Sequence, residues 1–297
     1  MRPLAERLLV LMPGASRRTV KQILEHGRVI VEGRAVRRGD QPVPESATIE
    51  ILPKKATLRR DPPPVKILHE DPHLLVVEKP AGMITVDVTR RGRESIWSSL
   101  RRMLRERRPE EEPFLVHRLD EGASGLLVFA KTKAVQRALK AIFERHALDR
   151  HYAAIIQGRM QEPRGEFRSH LVETRDRQHR VRSVGHGDPA GVRRTAREAV
   201  TRYAVRDERS GLTALEIRLE TGRKHQIRVH LSEAGHPLLG DSLYGGPRAD
   251  RLCLHAWVLG FIHPVTKRPV RAVSPPGPEF EKRFPRAFRE PCIGAPR

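Results

Sequence analysis

An uninterrupted apolar run, Leu126-Leu127-Val128-Phe129, is entered through a turn that sets an acid beside a base, and this juxtaposition constrains the chain most. The run has the length of a buried strand ending at Lys131, and Phe114-Leu115-Val116 predicts a second short strand before it. Between them lie His117-Arg118-Leu119-Asp120 and Glu121-Gly122-Ala123-Ser124-Gly125, whose two glycines let the backbone bend sharply. A carboxylate on such a turn is held by rigid strands and left open to a ligand, as sites often are. A charged hairpin turn fits the same residues, so these alone do not decide.

The 297 residues suffice for one large domain and a small one, and a hydrophobic content of 38% permits an ordinary core. Lys and Arg total 57 against 36 acids, a formal charge of +21 that predicts attraction to polyanions. Nucleic acid is the expected polyanion, because no amphipathic anchor or lipidation signal accompanies the charge. The two cysteines, Cys253 and Cys292, form no CxxC pair; a disulfide framework and a zinc module are excluded, and a reducing cytoplasm fits. The Leu8-Leu9-Val10-Leu11-Met12 run is too short for a signal sequence and reads as part of a buried helix. No stretch approaches the ~20 apolar residues of a membrane span, so a soluble cytoplasmic protein is expected.

Pro53-Lys54-Lys55, Arg59-Arg60-Asp61 and Pro62-Pro63-Pro64 mark a semi-rigid linker over residues 53–66, between a small domain at 1–52 and a large one at 67–297. In the small domain Ser16 caps a helix whose apolar face is Val20, Ile23 and Leu24, and Gly27 ends it. Val29-Ile30-Val31, Glu32-Gly33 and Arg34-Ala35-Val36 then read as a hairpin. The opposite helix face carries Arg17, Arg18 and Lys21, with Arg28, Arg34, Arg37 and Arg38 on or beside the hairpin. In the large domain Leu74 to Val77 and Tyr152 to Ile156 are buried strands, and Trp97 to Arg107 and a segment from Thr132 are amphipathic helices. Residues 175–197 hold seven arginines, two aspartates and three glycines, which predicts a basic loop or flexible hairpin without regular structure. Two long strands at about 199–206 and 212–220, a helix after Thr221-Gly222-Arg223, and a last hairpin over 252–273 complete the chain.

A second polar cluster, Arg223-Lys224-His225-Gln226-Ile227-Arg228-Val229-His230, would place His225, Arg228 and Ser232 on one helix face, with Lys224 one turn from Arg228. His225 and His230 are five apart with no acid between, which rejects a metal site. No phosphate-binding glycine loop precedes a helix, and no Gly-x-Ser-x-Gly elbow surrounds Ser124; Asp120 is the better nucleophile candidate.

His117-Arg118-Leu119-Asp120 with Ser124-Gly125-Leu126-Leu127-Val128 resembles the signature of the RluA-type pseudouridine synthases. So do Glu78-Lys79-Pro80-Ala81-Gly82, Tyr152 with Gly158, the Thr221 to His230 block, Gly240-Asp241, Tyr244-Gly245 and Leu254-His255-Ala256. The likeness spans about residues 67–275 in the family's order, and residues 4–52 resemble the small alpha-L RNA-binding domain of a small-subunit ribosomal protein. The resemblance implies an α+β fold: a mixed, mostly antiparallel sheet with flanking helices plus a small helix-hairpin RNA-binding domain. It implies that Asp120 is the essential carboxylate, that Arg228 pairs with it, that Tyr152 lies against the uracil ring, and that Arg118 displaces the target uridine from its stack.

The chemistry suits those residues. Breaking the glycosidic bond, turning the base and rejoining it through carbon needs an ionised carboxylate, which attacks the anomeric carbon or removes its neighbour's proton. Extrusion of the uridine costs a few kcal/mol, about what stacking and a filling arginine offset. No redox step or group donor is involved, so no cofactor is expected. RNA is the expected partner of a monomer, bound through Arg118, Arg17, Arg18, Lys21, Arg28, Arg223, Lys224 and His225. Ribosomal RNA is favoured by analogy and transfer RNA stays open, while a non-catalytic RNA-binding or ribosome-assembly protein is the rival reading. Ala123 stands where the family usually has Thr, His151 where it has Lys, and residues 83–88 lack a frequent His; these departures leave substrate preference open.

Overall fold

The computed structural model describes residues 2–25, 27–52, 65–88, 92–145, 147–174 and 180–289. The chain forms two units, Met1–Pro63 and Pro64–Arg297. The first contains β1 (Arg2–Pro3), α1 (Leu4–Leu11), α2 (Arg17–Glu25), β2 (Val29–Val31), β3 (Arg34–Val36), β4 (Pro42–Val43) and β5 (Ile49–Ile51). Ser16 Oγ accepts the Thr19 amide at 3.0 Å, the N-cap bond that satisfies one orphan donor of α2. Glu32 and Gly33 both take left-handed φ, at 49° and 73°, which matches the twist of a two-residue β2–β3 hairpin. Leu4 and Leu8 pack with Val20, Ile23, Leu24, Val29 and Val43. The reading of Leu8 to Met12 as buried needs correction: Val10 is 71% exposed and Leu11 52%, because only the Leu4/Leu8 stripe of α1 faces that core.

The second unit holds β6 (Lys66–Glu70), β7 (Leu74–Lys79), α3 (Ile96–Arg107), β8 (Phe114–Leu115), β9 (Ser124–Ala130), α4 (Lys133–Glu144), β10 (Leu148–Gln157), β11 (Arg164–Glu173) and β12 (Val181–Ser183). It continues with α5 (Ala190–Thr195), β13 (Arg197–Arg209), β14 (Leu212–Leu219), α6 (Gln226–Glu233), β15 (Leu254–Ile262), β16 (Pro269–Val273) and α7 (Pro278–Glu281). Among the described residues eleven strands form one sheet in the order β12-β11-β13-β14-β10-β15-β9-β7-β6, with β16 also on β15 and β8 also on β9. Among the described residues its pairs are antiparallel except β9–β15, where Ser124 and Gly125 face His255 and Ala256. A Cβ on Gly125, whose φ is +110°, would lie 2.2 Å from the Ala256 carbonyl oxygen, so only glycine permits this approach.

The unbroken apolar strands are explained by a sheet covered on both faces. Leu75, Val77, Leu127, Phe129, Tyr152 and Ala154 meet α3 and α6 on one side. Alternate residues Leu74, Val76, Leu126 and Val128 meet α4 on the other, where Ala153 and Ile155 pack with Phe280 and Phe284. Helix α3 starts at a reciprocal Ser95–Ser98 capping box, and α4 at Thr132. No helix among the described residues is long and apolar enough to cross a membrane.

Several boundaries differ from the sequence expectation. Residues 53–64 of the expected linker lie outside the described residues, and β6 already opens at Lys66. Regular structure occupies much of the expected loop at 175–197, of which 175–179 lie outside the described residues: β12 pairs with β11, and α5 follows. An Arg182–Asp188 ion pair and the Gly185 amide on Asp188 close the turn between them, offsetting the glycines' freedom. The strands flanking 207–211 run on until only Ser210 and Gly211 remain as a turn, with φ 51° and 72°.

His151, on β10, is buried with Nδ1 2.6 Å from Glu216 Oε1 and Nε2 against Asp149 Oδ1. Burial opposes the imidazolium, but the two carboxylates outweigh it and raise His151 above its ordinary value of 6.5. The stabilisation is therefore complete below pH 6.5 and fades as pH rises through the folded value. Replacing the ring leaves two desolvated carboxylates, so His151→Leu should lower the unfolding free energy by about 3–5 kcal/mol. Urea melts from pH 6 to 9 check this: wild type should lose stability with rising pH over a range where the variant shows a shallower slope.

Candidate active site

The Asp120 loop runs from β8 into β9 and is pinned from beneath by the segment that leaves β7. Thr85 Oγ1 donates to the Leu119 carbonyl at 2.8 Å and accepts the Leu119 amide at 3.1 Å. The Gly82 amide donates to the Glu121 carbonyl at 2.8 Å. Leu119 and Ala123 are buried in the α3/α6-side core, leaving the intervening Asp120 side chain 23% exposed. Lys79, wholly buried, donates from Nζ to the carbonyls of Pro80, Met83 and Glu121 at 2.9, 2.7 and 3.2 Å. Burial pushes its ammonium down to about 8, partly countered by the charge of Asp120. The loop is an anchored platform rather than a free surface hairpin.

Its far end is fixed as firmly. Arg251 Nη2 donates to Ser124 Oγ at 2.6 Å, and Ser124 Oγ lies 2.7 Å from His255 Nδ1. His255 Nε2 lies 2.7 Å from the Ser274 carbonyl and must donate to it, so Nδ1 accepts from the serine. Burial pushes His255 down to about 4 and keeps it neutral.

Arg228 reaches Asp120 from α6, which begins one residue after His225 rather than before it. Lys224 and His225 therefore precede the helix, a correction to the face expected from sequence. The cause is local: buried Gln226 accepts from the Thr221 hydroxyl (2.7 Å) and the Arg223 amide (3.0 Å), and donates to the Val200 carbonyl (3.0 Å). These bonds hold the turn tight, and His225 takes left-handed dihedrals, φ 53° and ψ 14°.

Arg228 Nη1 donates to Asp120 Oδ2 at 3.2 Å. Its Nε and Nη2 donate to Asp241 Oδ2 and Oδ1 at 2.7 and 2.8 Å, a bidentate fork on a wholly buried carboxylate. Burial opposes the guanidinium charge, and the two aspartates more than restore it. Tyr244 lies under Arg228, with 5.0 Å from the guanidinium carbon to the ring centroid. Tyr152 is buried in the same core as Leu119 and Ile227; burial, countered by Arg150 and reinforced by Asp120, raises its phenol above the ordinary value.

The expected RNA-contacting residues divide into groups. Arg118 is exposed on the Asp120 loop, and Arg17, Arg18 and Lys21 are exposed on α2 of the first unit. Arg28 is only half-exposed and its Nε is spent on the Leu52 carbonyl at 2.8 Å. Arg223 is exposed, with Nε on the Glu198 carbonyl at 3.0 Å, while Lys224 pairs with Glu173. His225 turns inward, its Nε2 3.9 Å from Asp120 Oδ1. Sequence reading assigned no role to Asp241, Tyr244, Lys79 or Thr85; the Gly240-Asp241 and Tyr244-Gly245 blocks were the available signal.

Asp241 accepts two of the three guanidinium nitrogens, so it governs where the third points. Asp241→Asn should lower the single-turnover rate by about 10²-fold, because a displacement near 1 Å costs that much. RNA affinity should stay within a few-fold, and rates measured at saturating RNA alongside a binding titration separate the two.

The profile of the RNA pseudouridylate synthase family matches residues 73–233. A ribosomal large subunit pseudouridine synthase D of Xanthomonas campestris pv. campestris is 34% identical over 95% of this chain and 88% of its own length. A dual-specificity RNA pseudouridine synthase RluA of Pasteurella multocida is 36% identical over 72% of this chain and 94% of its own. Among solved structures, human RNA pseudouridylate synthase domain containing 4 superposes with a TM-score of 0.59 at 26% identity, covering 72% of this chain and 90% of that one. The chain therefore belongs to the RluA-type RNA pseudouridine synthases, a family of isomerases.

Proposed function

We propose that the chain converts uridine to pseudouridine in ribosomal RNA, with Asp120 as the reacting carboxylate. The observation that carries the reading is the Asp120–Arg228 pair at 3.2 Å, held on an anchored loop and by an arginine that Asp241 has already oriented. The carboxylate either adds to C1′ of the target ribose or takes the C2′ proton. In both routes the C1′–N1 bond pair leaves with the uracil ring, the ring turns and C5 joins C1′. In the first this displaces the Asp120 carboxylate and breaks its bond to C1′; in the second Asp120 returns the proton to C2′. In both the C5 proton passes to solvent while N1 gains one, so that the carboxylate is regenerated. Arg228 supplies a fixed positive neighbour to the carboxylate throughout.

Tyr152 lies against the uracil ring in this reading. Its phenol is held protonated by burial, so it serves as a stacking face and a proton donor or relay rather than as a standing base. Arg118, exposed on the Asp120 loop, fills the space vacated by the extruded uridine. The first unit binds RNA through Arg17, Arg18 and Lys21, the exposed basic face of α2; Arg28 contributes to the fold of that unit instead. Ribosomal RNA is favoured because the Xanthomonas relative named for the large ribosomal subunit aligns over 95% of this chain.

Pseudouridine mapping in cells with and without the protein tests substrate and activity together. One or more ribosomal sites should vanish on deletion, return with wild type and stay absent with Asp120→Asn, while the variant keeps RNA affinity within a few-fold. Loss of transfer-RNA sites alone overturns the ribosomal assignment, and return of the missing sites with Asp120→Asn overturns the role of Asp120.

A further inference from the structure

We propose that His225 is a positioning residue for the reacting carboxylate, its Nε2–H facing Asp120 Oδ1 while Arg228 holds Oδ2, with Tyr244 deciding which ring nitrogen carries the proton. The inference rests on the reading of Asp120 above. It starts from a geometry in which the two carboxylate oxygens have different neighbours: Arg228 Nη1 at 3.2 Å from Oδ2, and His225 Nε2 at 3.9 Å from Oδ1. The second distance is longer than a hydrogen bond, and a small rotation of the carboxylate on substrate binding closes it. Catalytic contacts commonly tighten in this way when the substrate arrives.

The tautomer follows from the partners of Tyr244. Its oxygen accepts the Val181 amide at 2.9 Å. The phenol proton has two acceptors within reach, His225 Nδ1 at 2.9 Å and the Val181 carbonyl at 3.3 Å. Donation to the nearer nitrogen leaves Nδ1 as acceptor, so the single proton of the neutral ring sits on Nε2 and points toward the carboxylate. The opposite tautomer would aim a lone pair at an anion. The ring stays neutral because burial, together with Arg228 and Lys224, outweighs the pull of Asp120 and Asp241 and holds His225 below its ordinary value.

Two further facts make the placement specific. Among the described residues the other non-glycine positive-φ positions, Glu32, Ser210 and Lys267, lie in hairpin turns, whereas His225 opens the helix that carries Arg228. Tyr244 also stacks under Arg228, so one aromatic side chain supports both neighbours of Asp120.

Three substitutions separate a side-chain role from a backbone role. Gln places an amide donor near the position of Nε2; Asn suits the left-handed backbone and can meet Tyr244, but is too short to reach Asp120; Ala does neither. Single-turnover rates at saturating RNA should fall about 10- to 100-fold in His225→Ala and His225→Asn, and His225→Gln should recover most of the loss. RNA affinity and melting temperature should stay near wild type in all three. Tyr244→Phe, which keeps the ring under Arg228 and removes only the hydroxyl, should slow the reaction in the same direction. Wild-type rates in His225→Asn, or equal losses in the Asn and Gln variants, overturn the proposal. Asp120→Asn run in parallel separates the two readings. If it is inactive while the His225 variants turn over normally, only the role of His225 fails; if it is active, the reading of Asp120 fails with it.

Discussion

The site depends on how one guanidinium is divided. Arg228 gives two nitrogens to Asp241 and one to Asp120, and because the group is planar, fixing two directions fixes the third. A lysine in its place would present a point charge free to settle between the two acids. Burying such a cluster is poor value for stability, since desolvation costs several kcal/mol per ion and is at best recovered by the pairing. Its presence is better explained by direction: Asp120 meets a cation whose position was settled before any substrate arrives.

The same economy governs the ground beneath Asp120. Three carbonyls of two loops converge on the Lys79 ammonium, and Thr85 bonds both backbone groups of Leu119. The close β9–β15 approach at Gly125, with Ser124 bonded to His255, ties the other end of the loop to the middle of the sheet. Each contact is modest, and together they leave the Asp120 carboxylate partly exposed on an anchored segment. Reaction geometry is thus delivered by the sheet rather than by the loop's own conformational preference.

What could be read from the sequence, and what could not, follows the range of the interactions. Leu126 to Phe129 and Leu74 to Val77 announce themselves as strands because both faces of the sheet are covered, so composition alone carries the signal. Ser16 and Thr132 are legible because a cap acts within three residues. Asp241 is not, since its meaning lies in a guanidinium thirteen residues earlier that turns back toward it only in the folded chain. The segment around His225 is illegible for a related reason: helical spacing extends smoothly through a residue whose left-handed backbone precedes the helix, under the control of Gln226 bonds to β13. In 180–197 the glycines point to irregularity; β12 pairs antiparallel with β11 as the hairpin alternative had it, and α5 adds a helix that the glycine count hides.

Two of the three departures from the family, His151 and Ala123, lie on opposite sides of the sheet. The β10–β15 register shifts between His151 and Tyr152, and the two side chains meet different surroundings. Tyr152 joins the core beneath Asp120, while His151 faces Asp149 and Glu216, the latter linked through Arg206 to the carbonyl of Ala287. A cation in that position, lysine or protonated histidine, neutralises buried acids on the face away from Asp120, and the exchange bears on stability and its pH dependence rather than on substrate choice. Ala123 is different. Its amide donates to the Asp120 carbonyl at 3.2 Å and its methyl is buried among the apolar residues under the loop. A threonine there would bring a hydroxyl needing a partner within the loop that carries the carboxylate, so of these two departures the one at residue 123 is the one able to alter how Asp120 is presented.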